Sequence, residues 1–210
     1  MRRELPQMEA LDAVVQTVVT SADDVVYISG SLIEGFGNAA SDVDVFLITP
    51  RPRDYRGPFG TVLGDYYVDL EIYTAEQMHD LSARVGAVDP ADFAGVWKLR
   101  QPDLDLYYRT LIGEACHNDG GFETLRGRFD RDTIARLIAV WCGLRYAASM
   151  QHAEEELAAG RLVNAVVACE AAAASALDSY LARNGEAFSS LKWRFQKLAR
   201  LHAAPSGLYE

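Results

Sequence analysis

Apolar positions in the first third of the chain shift between helical and strand periods. In QMEALDAVVQTVVT, residues 7–20, they recur at helical spacing, and Val25-Val26-Tyr27-Ile28 is a short apolar run that stops at Gly30. The spacing predicts a helix packed on a buried strand. Val43 through Ile48 is a β-branched and aromatic run suited to a second strand. The following Pro50-Arg51-Pro52-Arg53-Asp54-Tyr55-Arg56-Gly57-Pro58 cannot continue a sheet, because proline has no backbone donor. It reads as a solvated loop whose arginines are candidate phosphate contacts. Tyr66 to Tyr73 alternates strictly, with Val68, Leu70 and Ile72 on one face and Asp69 and Glu71 on the other, which predicts a half-buried third strand. Thr74 and Gln77 then have the spacing of a capping box at the start of a helix.

Beyond residue 100 the strand signals stop. Leu104 to Ala115, Thr133 to Ala158, Leu162 to Arg183 and Ser190 to Leu201 are helix-compatible, with breaks at residues 118–121, at Gly160 and at Asn184-Gly185. The Ala-rich stretch Ala171–Ala174 suits close helix packing. The pattern predicts an N-terminal α/β unit followed by a helical unit, with the boundary between residues 84 and 120.

Composition adds the exclusions. The 210 residues suffice to bury a core without crosslinks, and no uninterrupted apolar run approaches the ~20 residues of a membrane span. The opening MRRELP meets a glutamate and a proline at once, unlike a secretory signal, so a cytoplasmic protein with no membrane partner is expected. Cys116, Cys142 and Cys169 lie far apart among apolar neighbours and read as buried reduced thiols. A net charge of −10 with no dense Lys/Arg cluster disfavours nucleic acid and leaves neutral or cationic small molecules as partners.

The candidate chemistry lies in GSLIEGFGNAASDVDVFLI, residues 30–48. On a strand, Asp42 and Asp44 project from one face while Val43 and Val45 turn to the core. If the strand holding Asp69 pairs alongside, a third carboxylate joins them, and each pair of like charges ~4 Å apart costs roughly 4 kcal/mol at an effective dielectric of 20. A hard divalent cation reverses the sign of that interaction. Asp103-Leu104-Asp105 has the same spacing, but at a predicted helix N-terminus the macrodipole accounts for it. What sets Asp42 and Asp44 apart is Gly30-Ser31 directly after a strand, where glycine lets the backbone approach an anion and the Ser31 hydroxyl can donate to it. A phosphate-binding turn beside carboxylates suits phosphoryl or nucleotidyl transfer.

Gly30-Ser31, Gly35, and Ser41-Asp42-Val43-Asp44 leading into an apolar strand resemble the signature of the DNA polymerase β-type nucleotidyltransferase superfamily. The likeness is to its small antibiotic and minimal (kanamycin nucleotidyltransferase-like) branch and is specific over residues 25–78. It implies an α/β (α+β) nucleotidyltransferase fold with a small mixed sheet over residues 1–100 and an all-α helical bundle domain over 101–210. By this resemblance Gly30 and Ser31, with Ser41, bind the nucleotide, and Asp42, Asp44 and Asp69 hold Mg²⁺. Glu71 shares a face with Asp69 and is the alternative third acid. Lys192 is a candidate phosphate contact and Trp193 a candidate base-stacking residue, although amphipathic packing explains both. Glu170 is a candidate general base, or a partner for a buried arginine, or an exposed helix residue.

The implied activity is Mg²⁺-dependent transfer of a nucleoside monophosphate, expected to be AMP from ATP, to a hydroxyl of a small-molecule acceptor such as an aminoglycoside-like cation. A homodimer is compatible with the resemblance. The alternative is an antitoxin or nucleotide-binding regulatory module that modifies or binds a HEPN-type helical protein. Rival motifs fail on context. Gly35-Phe36-Gly37-Asn38-Ala39-Ala40 precedes a strand rather than opening a dinucleotide-binding helix, and no P-loop lysine follows a glycine cluster. Phe46, Leu47 and Ile48 stand where an EF-hand needs oxygen ligands and glycine. His79, His117, His152 and His202 show no zinc spacing.

Overall fold

A computed structural model of the chain describes residues 7–38, 40–52, 59–63, 66–187 and 191–203. The expected loop residues Arg53 to Pro58 lie outside these, as do Ser189 and Ser190 at the expected start of the last helix. The protein is mixed α+β and mostly helical, with one five-stranded mixed sheet. The chain divides into a sheet unit, residues 1–84 with Arg109–Asp130, and a helical unit, Val85–Tyr108 with 131–210. Sequence pattern places one boundary between residues 84 and 120; the compact units exchange the chain after Arg84, Tyr108 and Asp130.

The sheet unit starts with α1 (Gln7–Val18), β1 (Val25–Ser29), the single turn α2 (Ser31–Glu34) and β2 (Val43–Thr49). It continues through β3 (Phe59–Leu63), β4 (Tyr66–Thr74) and α3 (Ala75–Gly86), whose last residues pass into the helical unit. After the last turn of α5 (Gln101–Ile112) come β5 (Glu114–His117) and α6 (Asp119–Arg126). Strand order is β3-β4-β2-β1-β5, with β2 and β4 parallel and the other pairs antiparallel. Thr74 and Gln77 do form the capping box: the Thr74 amide donates to Gln77 Oε1 at 2.7 Å, and the Gln77 amide to Thr74 Oγ1 at 3.1 Å.

Alternation places Val43, Val45 and Leu47 of β2 with Val26, Ile28 and Val68 in one apolar cluster, against Leu11 and Val14 of α1 and Leu32 of α2. The opposite face is aromatic and polar. There Tyr27 stacks on Phe46 with ring centroids 4.9 Å apart and meets Phe122 of α6 at 4.8 Å. The wholly buried Tyr27 hydroxyl shares a 3.0 Å hydrogen bond with Thr110 Oγ1, and burial raises its pKa above the ordinary tyrosine value.

Two strands depart from the sequence expectation. The helix expected to reach Ala115 ends at Ile112, and Glu114–His117 pairs with β1 instead, so strand structure does occur beyond residue 100. β3, beside the proline-rich loop, pairs with β4 at the sheet edge. Both are short and lack a strong alternating pattern, so long-range pairing decides them. The expected break at 118–121 is the start of α6, where Asn118 at φ +56° accepts from the Gly121 amide at 3.0 Å.

In the helical unit the described residues form α4 (Phe93–Trp97), most of α5, α7 (Arg131–Ala158), α8 (Leu162–Arg183), a 3₁₀ turn (Leu191–Trp193) and α9 (Arg194–Ala203). α7 contributes Leu137, Ile138 and Trp141 to its core, and α8 contributes Ala165, Ala168 and Ala172, whose small side chains let the two helices approach closely. Ser179 Oγ on α8 donates to the Ala139 carbonyl on α7 at 2.8 Å. Of the Ala171–Ala174 run only Ala172 is buried. α8 has the length and apolar composition of a membrane-crossing helix, although no uninterrupted apolar run suggested one, and it holds the buried Asp178. The cysteines are not uniformly buried: Cys142 is, with burial pushing its thiol up to about 12, whereas Cys116 is half-buried and Cys169 exposed on the side of α8 away from the core.

Ion pairs brace this unit. Arg194 forks onto Asp178 with bonds of 2.6 and 2.7 Å, both side chains being 8% exposed. Glu156 accepts from Arg161 at 2.5 and 2.7 Å and from Asn164 at 2.9 Å. Removing one partner of the buried pair strands the other charge, so Asp178→Ala is expected to cost about 3–5 kcal/mol in urea unfolding. The bonds from Arg161 and Asn164 lower the Glu156 carboxyl from 4.5 to about 2. A depressed carboxylate pKa adds stability that is complete above about 4.5 and lost as pH falls through about 2. Glu156→Gln should therefore melt below the wild type at pH 7, and the gap in Tm should close between those two pH values.

Candidate active site

The site is built where β1 ends. Gly30 follows Ser29 with φ +80° and ψ −152°, a backbone region that side chains disfavour. A Cβ there would fall 1.8 Å from Asp44 Oδ2. Only glycine lets the carboxylate rest against the main chain at this turn. Ser31 is 1% exposed, and its hydroxyl oxygen makes no hydrogen bond among the described residues, while its carbonyl accepts from the Phe36 and Gly37 amides at 2.9 and 2.8 Å. A buried hydroxyl without a partner is costly unless a ligand engages it.

Sheet register aligns the acids. Ser29 pairs with Asp44 across β1–β2, and Asp44 with Asp69 across the parallel β2–β4 ladder. Asp69, not Glu71, therefore stands opposite Asp44. Glu71 pairs with Phe46 one step further along and accepts a 2.5 Å hydrogen bond from the Tyr73 hydroxyl. Asp42 immediately precedes β2 and is half-buried, as are Asp44 and Asp69. Ser41 braces the turn into this strand, its Oγ accepting from the Asn38 amide at 2.9 Å.

A residue that the sequence pattern did not single out occupies the row. Arg109, in the last turn of α5, donates from Nη1 to Asp44 Oδ1 at 2.8 Å, with the two side chains 23% and 13% exposed. Its guanidinium also lies 6.0 Å from the Phe46 ring centroid, and its carbonyl accepts from Ser29 Oγ at 2.9 Å. Sixty-five positions separate Arg109 from Asp44, so no local signal marks the pair.

Burial raises the Asp44 carboxyl above the ordinary aspartate value; Arg109 draws it back, and the charges of Asp42 and Asp69 push it up again. The three acids thus interact through Asp44. Among the described residues, however, no three His, Cys, Asp or Glu side chains are gathered tightly enough to form a metal cage. The chemistry of the set still fits a hard cation: three carboxylates supply oxygen donors, one of them desolvated and under the like charge of the other two, beside an unsatisfied hydroxyl.

The remaining candidates belong to the helical unit. Lys192 is exposed in the 3₁₀ turn, Trp193 is buried, and Glu170 is exposed on α8. Of the alternatives open for Glu170, the exposed helix residue is the one observed, and the partner of the buried Arg194 is Asp178. Gly30, Ser31, Ser41, Asp42, Asp44 and Asp69 all lie in the sheet unit. In comparisons with known proteins, no family model matches the chain, and no curated protein sequence matches it.

Proposed function

We propose that the protein is a Mg²⁺-dependent nucleotidyltransferase that moves a nucleoside monophosphate, AMP from ATP, to a hydroxyl of a small acceptor, with release of pyrophosphate. The observation that supports this reading most is the Asp44 carboxylate seated on the Gly30 backbone, in register with Asp69 and next to the unsatisfied Ser31 hydroxyl. In this reading Asp42, Asp44 and Asp69 hold Mg²⁺. When bound, the ion supplies charge neutralisation to the triphosphate and its leaving group. Ser31 donates to a phosphate oxygen, and the absence of a side chain at Gly30 makes room for the Asp44 carboxylate beside it. Arg109 holds Asp44 turned into the row until nucleotide arrives. The acceptor hydroxyl oxygen attacks the α-phosphorus in line, its bond to phosphorus forms as its proton passes to water, and the bond to pyrophosphate breaks. The acidic surface favours cationic acceptors.

Labelled ATP with Mg²⁺, offered first to the protein alone and then with hydroxylated cationic small molecules, is expected to yield a nucleotidylated small product. Label appearing only on a co-purifying protein would favour the antitoxin-like alternative. Asp44→Asn should lower transfer by about 10²–10³-fold while far-ultraviolet circular dichroism is retained. Arg109→Gln gives a sharper test of the carboxylate row. Without Mg²⁺ this variant should melt below the wild type, because Asp44 is left facing Asp42 and Asp69. Added Mg²⁺ should then raise its Tm by more than it raises that of the wild type. Equal Mg²⁺ shifts in the two proteins would remove Asp44 from the metal site.

A further inference from the structure

The helical unit holds an open groove of about 540 Å³ between α4, α7 and α8, within the size range of small-molecule sites. No part of its wall comes from the carboxylate row. Ala148, Ala168 and Ala171 contribute to its lining, and their small side chains leave a bed open to a guest. Trp97 stands at one side, 51% exposed, and Val167 at another, 60% exposed. An indole and an isopropyl group left this open beside a cavity offer stacking and apolar contact to a planar guest.

The polar lining is one-sided in charge. The chain carries 30 Asp and Glu residues in 210, yet among the described residues none lines the groove, whose polar members are Arg145, Ser149, His152 and Asn164. The nearby Glu156 does not reverse this sign, because it is neutralised by Arg161 at 2.5 and 2.7 Å and tied to Asn164 at 2.9 Å. Arg145 is held in place from beneath: its guanidinium lies 4.7 Å from the Trp141 ring centroid, and Trp141 Nε1 donates to the Leu99 carbonyl at 3.1 Å. Stacking on a fixed ring spends the face of the guanidinium and leaves its edge of N–H donors for an anion.

We propose that this groove binds a flat aromatic molecule bearing an anionic group, a carboxylate or a phosphate. The ring packs against Trp97, Val167 and the alanines of the lining, and the anion accepts hydrogen bonds from the Arg145 edge. Such a ligand differs in charge from the cationic acceptors suited to the acidic surface, and its binding does not depend on the transfer chemistry.

The test uses ¹⁵N-labelled full-length protein titrated with benzoate, phenyl phosphate and, as the neutral counterpart, benzyl alcohol. At least one of the two anions is expected to shift the Trp97 indole resonance saturably and to leave that of Trp193 in place; which one responds identifies the anionic group. Arg145→Gln should weaken binding about tenfold or more, the loss of a charge-assisted contact. Ala171→Phe, at an exposed helix position, should abolish binding by filling the bed with Arg145 intact. Three results would overturn the assignment: no saturable shift with either anion, benzyl alcohol binding as tightly as the anions, or unchanged affinity in Arg145→Gln. Melting curves of both variants confirm that any loss is not unfolding.

Discussion

Charge crowding at Asp44 is the constraint around which the sheet unit is arranged. A carboxylate 13% exposed, in line with Asp69 and influenced by Asp42, is tolerated only with a compensating cation, and Arg109 provides it at 2.8 Å. That requirement reaches outward. Arg109 must be delivered by the end of α5, whose last turn is in turn fastened to β1 through Ser29 and through the Tyr27–Thr110 bond. Tyr27 then has to be buried, and its stacking on Phe46 and Phe122 makes the polar side of the sheet a second, aromatic core. The other side is spared all this and packs as plain aliphatic surface on α1.

This arrangement also explains what pattern reading could and could not find. β1, β2 and β4 announce themselves because each is buried on at least one face and carries a long apolar or alternating run. The capping box at Thr74 is legible for a different reason, since both of its bonds close within four residues. β5 is not legible, because Glu114-Ala115-Cys116-His117 has no strand signature of its own and becomes a strand by pairing with Val26, Tyr27 and Ile28. Its capture by β1 is also why the compact units interleave along the chain rather than following one another.

The carboxylates were readable from residue type and spacing, and register settled which of Asp69 and Glu71 faces Asp44. Arg109 was not readable, because nothing about an arginine late in an amphipathic helix tells which distant acid it will meet. The exposure of Cys169 was hidden for a related reason. Apolar neighbours in sequence suggest burial, but on α8 they extend around the helix, and only the side carrying Ala165, Ala168 and Ala172 is covered by α7.

Parallel pairing of β2 with β4 has a consequence for how the molecule is made. Parallel neighbours cannot be joined by a tight hairpin, so Asp44 and Asp69 become neighbours only after the intervening chain, β3 included, has been looped out. Arg109 arrives from still further along. An incompletely collapsed chain, even one with native helices, therefore lacks the clustered charge, which forms together with the most distant contacts of the sheet unit. A nascent polypeptide released before residue 109 would lack the guanidinium that pairs with Asp44, so the carboxylate row depends on a residue made long after its own strands.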